Sequence, residues 1–182
     1  MEAMAAWVAL LRGINLGGHH RVPMAELRSL VAELGHGDVA TYVQSGNLVF
    51  TAADTRAADD ITAELEAAIE SRFGFGVPVL LRSRHEIERI AARHPFEDRE
   101  DEPAKLHVFF LAGDPDPRRL AAWHPERYAP DEAIVDGCEV YVHFPNGMGR
   151  SKFAFDFGTT ATARNWRTVL ALAGVARELP DG

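Results

Sequence analysis

Cysteine is nearly absent from the chain, and so are long apolar runs. The one cysteine, Cys138, excludes an internal disulfide framework and fits a reducing compartment. No apolar run approaches the roughly 20 residues that a membrane-spanning helix needs. The first six residues include Glu2 and no basic residue, so they do not resemble a signal peptide. We therefore expect a soluble cytoplasmic protein without a membrane partner.

Positive charge is also scarce. The formal net charge is −8, which argues against sequence-independent binding to nucleic acid, where contacts to phosphate dominate the affinity. Residues 54–104 carry 13 acidic and 7 basic side chains, a net charge of −6. Residues 147–168 carry four basic side chains against one acidic, a net charge of +3. A small anionic ligand is therefore a better expectation than a long polyanion.

Several motifs that would identify an activity are missing. The chain contains no dinucleotide-binding fingerprint, no Walker loop and no Gly-x-Ser-x-Gly elbow. Its eight histidines do not have the spacing of metal ligands, so we predict no metal site. The sequence does not identify a cofactor. His107, His143 or Asp156 could still act as a base, and whether the protein is an enzyme stays open.

Hydrophobic periodicity predicts two similar halves. The first follows the order βαββαβ, with elements at 7–11, 24–34, 39–44, 47–51, 61–73 and 77–82. The second follows βαββα, with elements at 105–111, 117–123, 133–135, 139–144 and 162–176. Asp54 or Thr55 is expected to cap the helix at 61–73, and Thr160 or Thr162 the last helix.

The repeated order predicts an α+β fold of two tandem ferredoxin-like halves with antiparallel sheets. Two hairpin glycines, Gly46 and Gly137, are 91 residues apart, which is half of the 182-residue chain. The expected domains are a first half at 1–83, a connecting helix and acidic linker at 84–104, and a second half at 105–182.

Glycines and polar residues concentrate at 11–18 and 44–47. In a ferredoxin-like half, the end of the first strand and the hairpin after the second lie at the same sheet edge, so we expect these segments to be neighbours. The glycines precede a helix, where free N–H groups and the helix dipole favour an anion. The predicted ligand-binding residues are Arg12, Asn15, Gly17, Gly18, Gln44, Ser45 and Asn47. Alternatively, the glycines only shape a long turn and the amides satisfy buried backbone groups.

A second group of predicted ligand-binding residues follows the last hairpin. With a cap at Thr160 or Thr162, two of its arginines would lie in the first helical turn, where the dipole disfavours a cation. A bound anion would resolve that conflict, and so would an ion pair with Asp156 or another carboxylate. The group consists of Arg150, Lys152, Arg164, Asn165 and Arg167.

Strand aromatics leave a further interpretation open. Ferredoxin-like sheets can stack bases on exposed aromatic side chains, although the RNA-recognition consensus is missing here and strand aromatics commonly belong to the core. The candidates are Tyr42, Phe50, Phe109, Tyr141 and Phe144.

Five segments carry a resemblance to a known family: 11–18, 22–27, 41–50, 141–152 and 162–169. In order and in residues they resemble the bacterial family catalogued as domain of unknown function sixteen-ninety-seven, over nearly the whole chain. The resemblance implies two ferredoxin-like halves in a cytoplasmic bacterial protein. It implies no established activity, cofactor or catalytic residue.

The leading hypothesis is a module that binds a small anion, either phosphorylated or nucleotide-like. One alternative is an enzyme that acts on a phosphorylated or carboxylated small molecule. Another is an RNA- or protein-binding module that uses the face of a sheet. The sequence does not give the oligomeric state.

Overall fold

The structure, a computed structural model, describes residues 3–99 and 102–180. The chain divides into two compact units, one formed by Met1–Ala91 with Ala171–Gly182 and the other by Ala92–Leu170. This division differs from the expected boundaries at 84–104 and at the last twelve residues. The helices and strands are β1 (Met4–Leu11), α1 (Met24–Glu33), β2 (Gly37–Tyr42), β3 (Asn47–Ala53), α2 (Ala58–Phe73), β4 (Val79–Ser83), α3 (Arg84–Ala92), β5 (Leu106–Leu111), α4 (Pro117–Ala122), β6 (Glu132–Asp136), β7 (Glu139–His143), β8 (Ala161–Asn165) and α5 (Trp166–Arg177).

The first unit has the predicted ferredoxin-like topology. Its sheet has the order β2-β3-β1-β4, and every neighbouring pair is antiparallel. Leu27 of α1 and Leu65 of α2 are fully buried in one cluster with Phe50 of β3. Both helices therefore cover the same face of the sheet, as the periodicity of 24–34 and 61–73 predicts.

The ends of α2 confirm one prediction and correct another. Gly74 ends the helix in the left-handed conformation, at φ +82°, and its N–H donates to the carbonyl of Glu70. The expected caps Asp54 and Thr55 are wrong, because α2 begins at Ala58, and the preceding Ala57 makes no side-chain cap bond. The Arg56 N–H instead bonds back to the carbonyl of Ala53, which places 53–56 in a turn after β3.

The second unit also forms a four-stranded antiparallel sheet, in the order β6-β7-β5-β8. The predicted order βαββα is wrong at one point, because residues 161–165 form the strand β8 and the last helix begins only at Trp166. Thr162 and Arg164 alternate with less buried neighbours along this strand. That period of two follows from pairing with β5, whose ladder runs from Leu111–Ala161 to His107–Asn165.

Aromatic side chains fill the second unit where the first uses a long helix. Between β7 and β8 the described chain contains only a short 3-10 turn, Met148–Arg150, and no α-helix. Phe153 and Phe155 pack against the core there, and Phe157 is buried in it. The Phe157 ring centroid lies 5.1 Å from that of Trp123. The aromatic segment covers the core side of this sheet, as α2 covers that side of the first.

In both halves the fourth strand leads directly into a helix whose first turn is capped by a side chain. Ser83 and Glu86 form a reciprocal capping box at the start of α3, with distances of 2.7 Å and 3.2 Å. At the start of α5, the side-chain oxygen of Asn165 accepts from the Thr168 N–H at 2.9 Å. The cap of the last helix is thus Asn165, and the expectation of Thr160 or Thr162 is wrong.

A buried arginine repeats with the same register. Arg82 of β4 lies opposite Val8, and Arg164 of β8 lies opposite Val108. Each guanidinium donates to the carbonyl of the preceding residue, at 2.9 Å and 2.8 Å. Equivalent arginines in equivalent strands support the interpretation of the chain as two tandem halves.

Arg177 and Leu179, at the end of α5 and just after it, contact α3 within the first unit. Arg84 Nη1 donates to the carbonyl of Leu179 at 2.9 Å. Glu88 accepts from Arg177 at 3.2 Å and from Arg84 at 3.3 Å. These bonds attach the C-terminal part of α5 to the helix that follows β4.

Candidate functional site

The structure brings together the two polar segments of the first unit. The Leu11 N–H donates to the Gly46 carbonyl at 2.8 Å, and Asn15 Nδ2 donates to the Gln44 carbonyl at 2.9 Å. The end of β1 and the β2–β3 turn therefore lie at one edge of the sheet, as the topology predicts. Arg12, Gln44 and Ser45 are exposed at this edge.

The amides at this edge bind backbone groups. Asn15 also donates to the Val22 carbonyl at 3.0 Å and accepts from the Val22 N–H at 2.9 Å. Asn47 is fully buried, and its Nδ2 donates to the Tyr42 carbonyl and to Ser45 Oγ, both at 2.9 Å. Both side chains hold the loop and the turn in shape, which is the alternative role considered for them above.

The glycines of the loop do not lie at a helix N-terminus. Gly17 and Gly18 adopt positive φ values of +57° and +80° in a tight turn closed by the His19 N–H and the Leu16 carbonyl, 3.0 Å apart. The helix α1 begins only at Met24. The expected contribution of the helix dipole at these glycines is therefore wrong, because the dipole acts only within the first turn.

The second predicted group divides between different surroundings. Arg150 and Lys152 line a cavity of about 240 Å³ in the second unit, together with Arg127 and Tyr128. Arg164 lies in β8, Asn165 caps α5, and Arg167 is exposed in the first turn of α5. These last three residues do not line this cavity.

Three cations surround the cavity of 240 Å³, which we call the basic cavity. The side chains of Arg127, Arg150 and Lys152 are exposed, and none forms an ion pair with a residue in 3–99 or 102–180. The carboxylate in the wall, Asp131, accepts a hydrogen bond from Ser151 Oγ. The lining therefore carries three positive charges against one negative, and the Asp131 carboxylate is held by a hydroxyl.

Arg164 has a structural environment. It is buried, and its Nη1 donates to Thr162 Oγ1 at 2.9 Å. Burial lowers the pKa of its guanidinium to about 10, so it stays charged at neutral pH. Asp156, one of the carboxylates considered as a partner for these arginines, pairs with Arg119.

The candidate bases lie in surroundings that favour their deprotonated forms. Burial lowers the pKa of His107, and it is also the main cause that lowers the pKa of His143. His143 Nδ1 lies 3.0 Å from Arg99 Nη1, which can only donate. The backbone N–H of Gly158 is the first cause that lowers the pKa of Asp156. None of the three lines the basic cavity.

A second cavity was not predicted from the sequence. It has a volume of about 380 Å³, and Arg93, His94, Asp136 and Tyr141 are among its lining residues. His94 is buried, and its Nδ1 accepts from the Phe96 N–H at 2.9 Å. Its Nε2 has no hydrogen-bond partner among the residues described. In the sequence, a histidine two residues after α3 is too weak a signal to predict this cavity.

The aromatic candidates for base stacking are largely in the core. Phe50, Tyr141 and Phe144 are buried, and Tyr42 and Phe109 are partly covered. Stacking needs an exposed ring face, so the arrangement gives no support to RNA binding on these strands.

Within residues 3–99 and 102–180, no helix combines the length and the apolar character needed to span a bilayer. The same ranges contain no group of three or more histidine, cysteine, aspartate or glutamate side chains that could hold a metal ion.

Sheet order and helix placement define an α+β protein of two ferredoxin-like halves with a basic cavity in the second unit. A family model described as "protein of unknown function (DUF1697)" matches residues 4–141, and the chain belongs to this family. It is similar to the solved structure of a conserved bacterial protein, SP0830, from Streptococcus pneumoniae. The two align with a TM-score of 0.76 and 23% identity over 96% of this chain and 99% of the other, a likeness of fold. No curated protein matches.

Proposed function

We propose that the protein is a binding module for a small phosphorylated anion, held in the basic cavity. The observation that supports this most is the convergence of Arg127, Arg150 and Lys152 on one cavity, without a carboxylate partner in the described part of the chain. Like charges repel one another, and a bound anion would turn that repulsion into attraction. The two guanidinium groups suit phosphate, because each can donate two parallel hydrogen bonds to its oxygens.

The size of the basic cavity favours a small ligand. Its volume of about 240 Å³ lies below the roughly 300–1,000 Å³ of pockets for drug-sized molecules. Asn146 and Tyr128 also line it and offer neutral hydrogen-bond donors for the rest of the ligand. A long polyanion would extend beyond the cavity and be repelled by a protein whose overall charge is −8. The family resemblance and the single cysteine support the bacterial cytoplasm as the location.

Titration calorimetry with inorganic phosphate and with glucose 6-phosphate tests the proposal. The double variant Arg150→Gln/Lys152→Gln is expected to bind at least about tenfold more weakly than the wild type, because a hydrogen bond to a charged group contributes about 1.5–3 kcal/mol. Arg118→Gln is the matched control, since Arg118 is exposed on α4 of the same unit and does not line the cavity. Its affinity should equal that of the wild type.

Two results would contradict the binding module. Equal affinities in the wild type and the double variant would show that the anion does not bind in the basic cavity. Release of phosphate from glucose 6-phosphate during the titration would favour the enzyme that acts on a phosphorylated substrate.

A further inference from the structure

We infer that the exposed edge of the first sheet, formed by residues 12–21 and 43–46, is a docking surface for an acidic segment of a partner protein. We call it the loop edge. This inference concerns the first unit and does not depend on the basic cavity, so either can fail alone.

Two apolar side chains are exposed at the loop edge. Leu16 is 67% exposed and Val43 is 52% exposed, the highest values among the large exposed hydrophobic side chains of the described chain. Each is next to one partner of the hydrogen bond between Asn15 and Gln44. The two residues therefore lie in adjoining segments of the loop edge, and a partner seated across both segments would remove both side chains from water.

The backbone at Val43 is in a conformation that its side chain disfavours. Its φ is +51°, a left-handed value that is a genuine outlier for a β-branched residue. Hydrogen bonds hold the turn on both sides, since Asn47 binds the Tyr42 carbonyl and Asn15 binds the Gln44 carbonyl. A glycine would meet this conformation without strain. The chain thus keeps an exposed valine at a cost in stability, which indicates a role in binding.

The charge of the loop edge determines the chemistry of the partner. Residues 12–21 and 43–46 contain Arg12 and Arg21 and no acidic residue, although the whole chain has a net charge of −8. Both arginines are exposed and form no ion pair with any residue that the structure describes. A segment rich in aspartate and glutamate would complement them. Leucine or valine in that segment would cover Leu16 and Val43, which a nucleic acid backbone cannot do.

Fluorescence anisotropy with the full chain tests the inference. The probe is a labelled peptide in which two leucines are flanked by four glutamates, and comparison peptides replace the glutamates with lysine or the leucines with serine. The first peptide is expected to bind, and both comparison peptides to bind at least about tenfold more weakly. Equal binding of the three peptides would overturn the inference.

Variants of the chain separate docking from folding. Leu16→Ser and Val43→Gly are each expected to lower the affinity for the acidic peptide by about fivefold or more, because both remove apolar contact area. Leu170→Ser is the matched control, since Leu170 is 46% exposed on α5 and belongs to the second unit, and should bind like the wild type. Val43→Gly should in addition keep or raise the thermal midpoint, because it relieves the left-handed valine. Unchanged affinity in Val43→Gly would overturn the inference.

Two further measurements test other occupants of the loop edge, a single-stranded RNA and a second copy of the chain. Tighter binding of a 12-nucleotide polyuridine than of the acidic peptide would assign the loop edge to RNA and overturn the inference. A dimer in sedimentation that Leu16→Ser dissolves would assign it to a second copy of the chain, with the same consequence.

Discussion

Gly46→Ala is expected to lower the free energy of unfolding by about 3 kcal/mol. Gly46 has φ +81°, where an added side chain costs about 1–2 kcal/mol. A Cβ there would lie 2.8 Å from Leu11 Cβ and 2.9 Å from Ile14 Cδ1. Leu11 belongs to a central strand and cannot move freely, so overpacking adds about 1–3 kcal/mol.

Gly137→Ala is the matched control for this prediction. Gly137 lies in the equivalent hairpin of the second unit at φ +60°, but its Cβ would meet nothing within 4 Å. The expected loss is only the backbone cost of about 1–2 kcal/mol. Chemical denaturation of both variants measures the two losses. Equal losses would show that the contact with Leu11 and Ile14 adds nothing.

The second large effect is a loss of stability in acid that depends on His94. Burial lowers the pKa of this histidine from 6.5 to about 4, with a smaller contribution from His143. Between these pH values the unfolded chain binds a proton that the folded chain does not, so the free energy of unfolding falls as the pH falls. A pKa shift of this size lowers the free energy of unfolding by about 3 kcal/mol between pH 7 and pH 4. Lowered pKa values at His107 and His143 act in the same direction.

Denaturation curves between pH 7 and pH 4 check the contribution of His94. His94→Asn keeps an acceptor for the Phe96 N–H, whereas His94→Phe keeps an aromatic ring next to Trp166, whose centroid is 4.3 Å away. Neither replacement titrates, so both should show a shallower dependence on pH, by the same amount, whatever their stability at pH 7. A slope as steep as that of the wild type in both variants would mean that His94 does not contribute.

Local patterns were sufficient to predict most of the fold. The first unit follows the predicted order, because its strands and helices have distinct periods and because Gly74 and the β2–β3 turn separate them. The edge where Asn15 meets Gln44 followed from the topology alone. Tertiary pairing overrode the local pattern at β8. Its sequence is compatible with a helix but forms a strand, because β5 has a free edge with which it can pair.

The candidate site was predicted only in part. Arg150 and Lys152 were identified from a cluster of basic residues, and both line the basic cavity. Arg127 was missed because it precedes Arg150 by 23 residues in the chain. The segment before β6 brings it to the cavity. The other predicted residues of this group are placed by β8 and α5, and a window of local charge cannot show that a strand buries Arg164.

The assignment of residues 171–182 to the first unit has a consequence for synthesis on the ribosome. Domains generally fold as units, with the N-terminal one first as the chain emerges. Here the bonds from Arg84 and Glu88 to Leu179 and Arg177 can form only after the whole second unit has been translated. The unit that begins to emerge first is therefore the last to be completed, and a nascent chain that stops after residue 170 leaves α3 without these contacts.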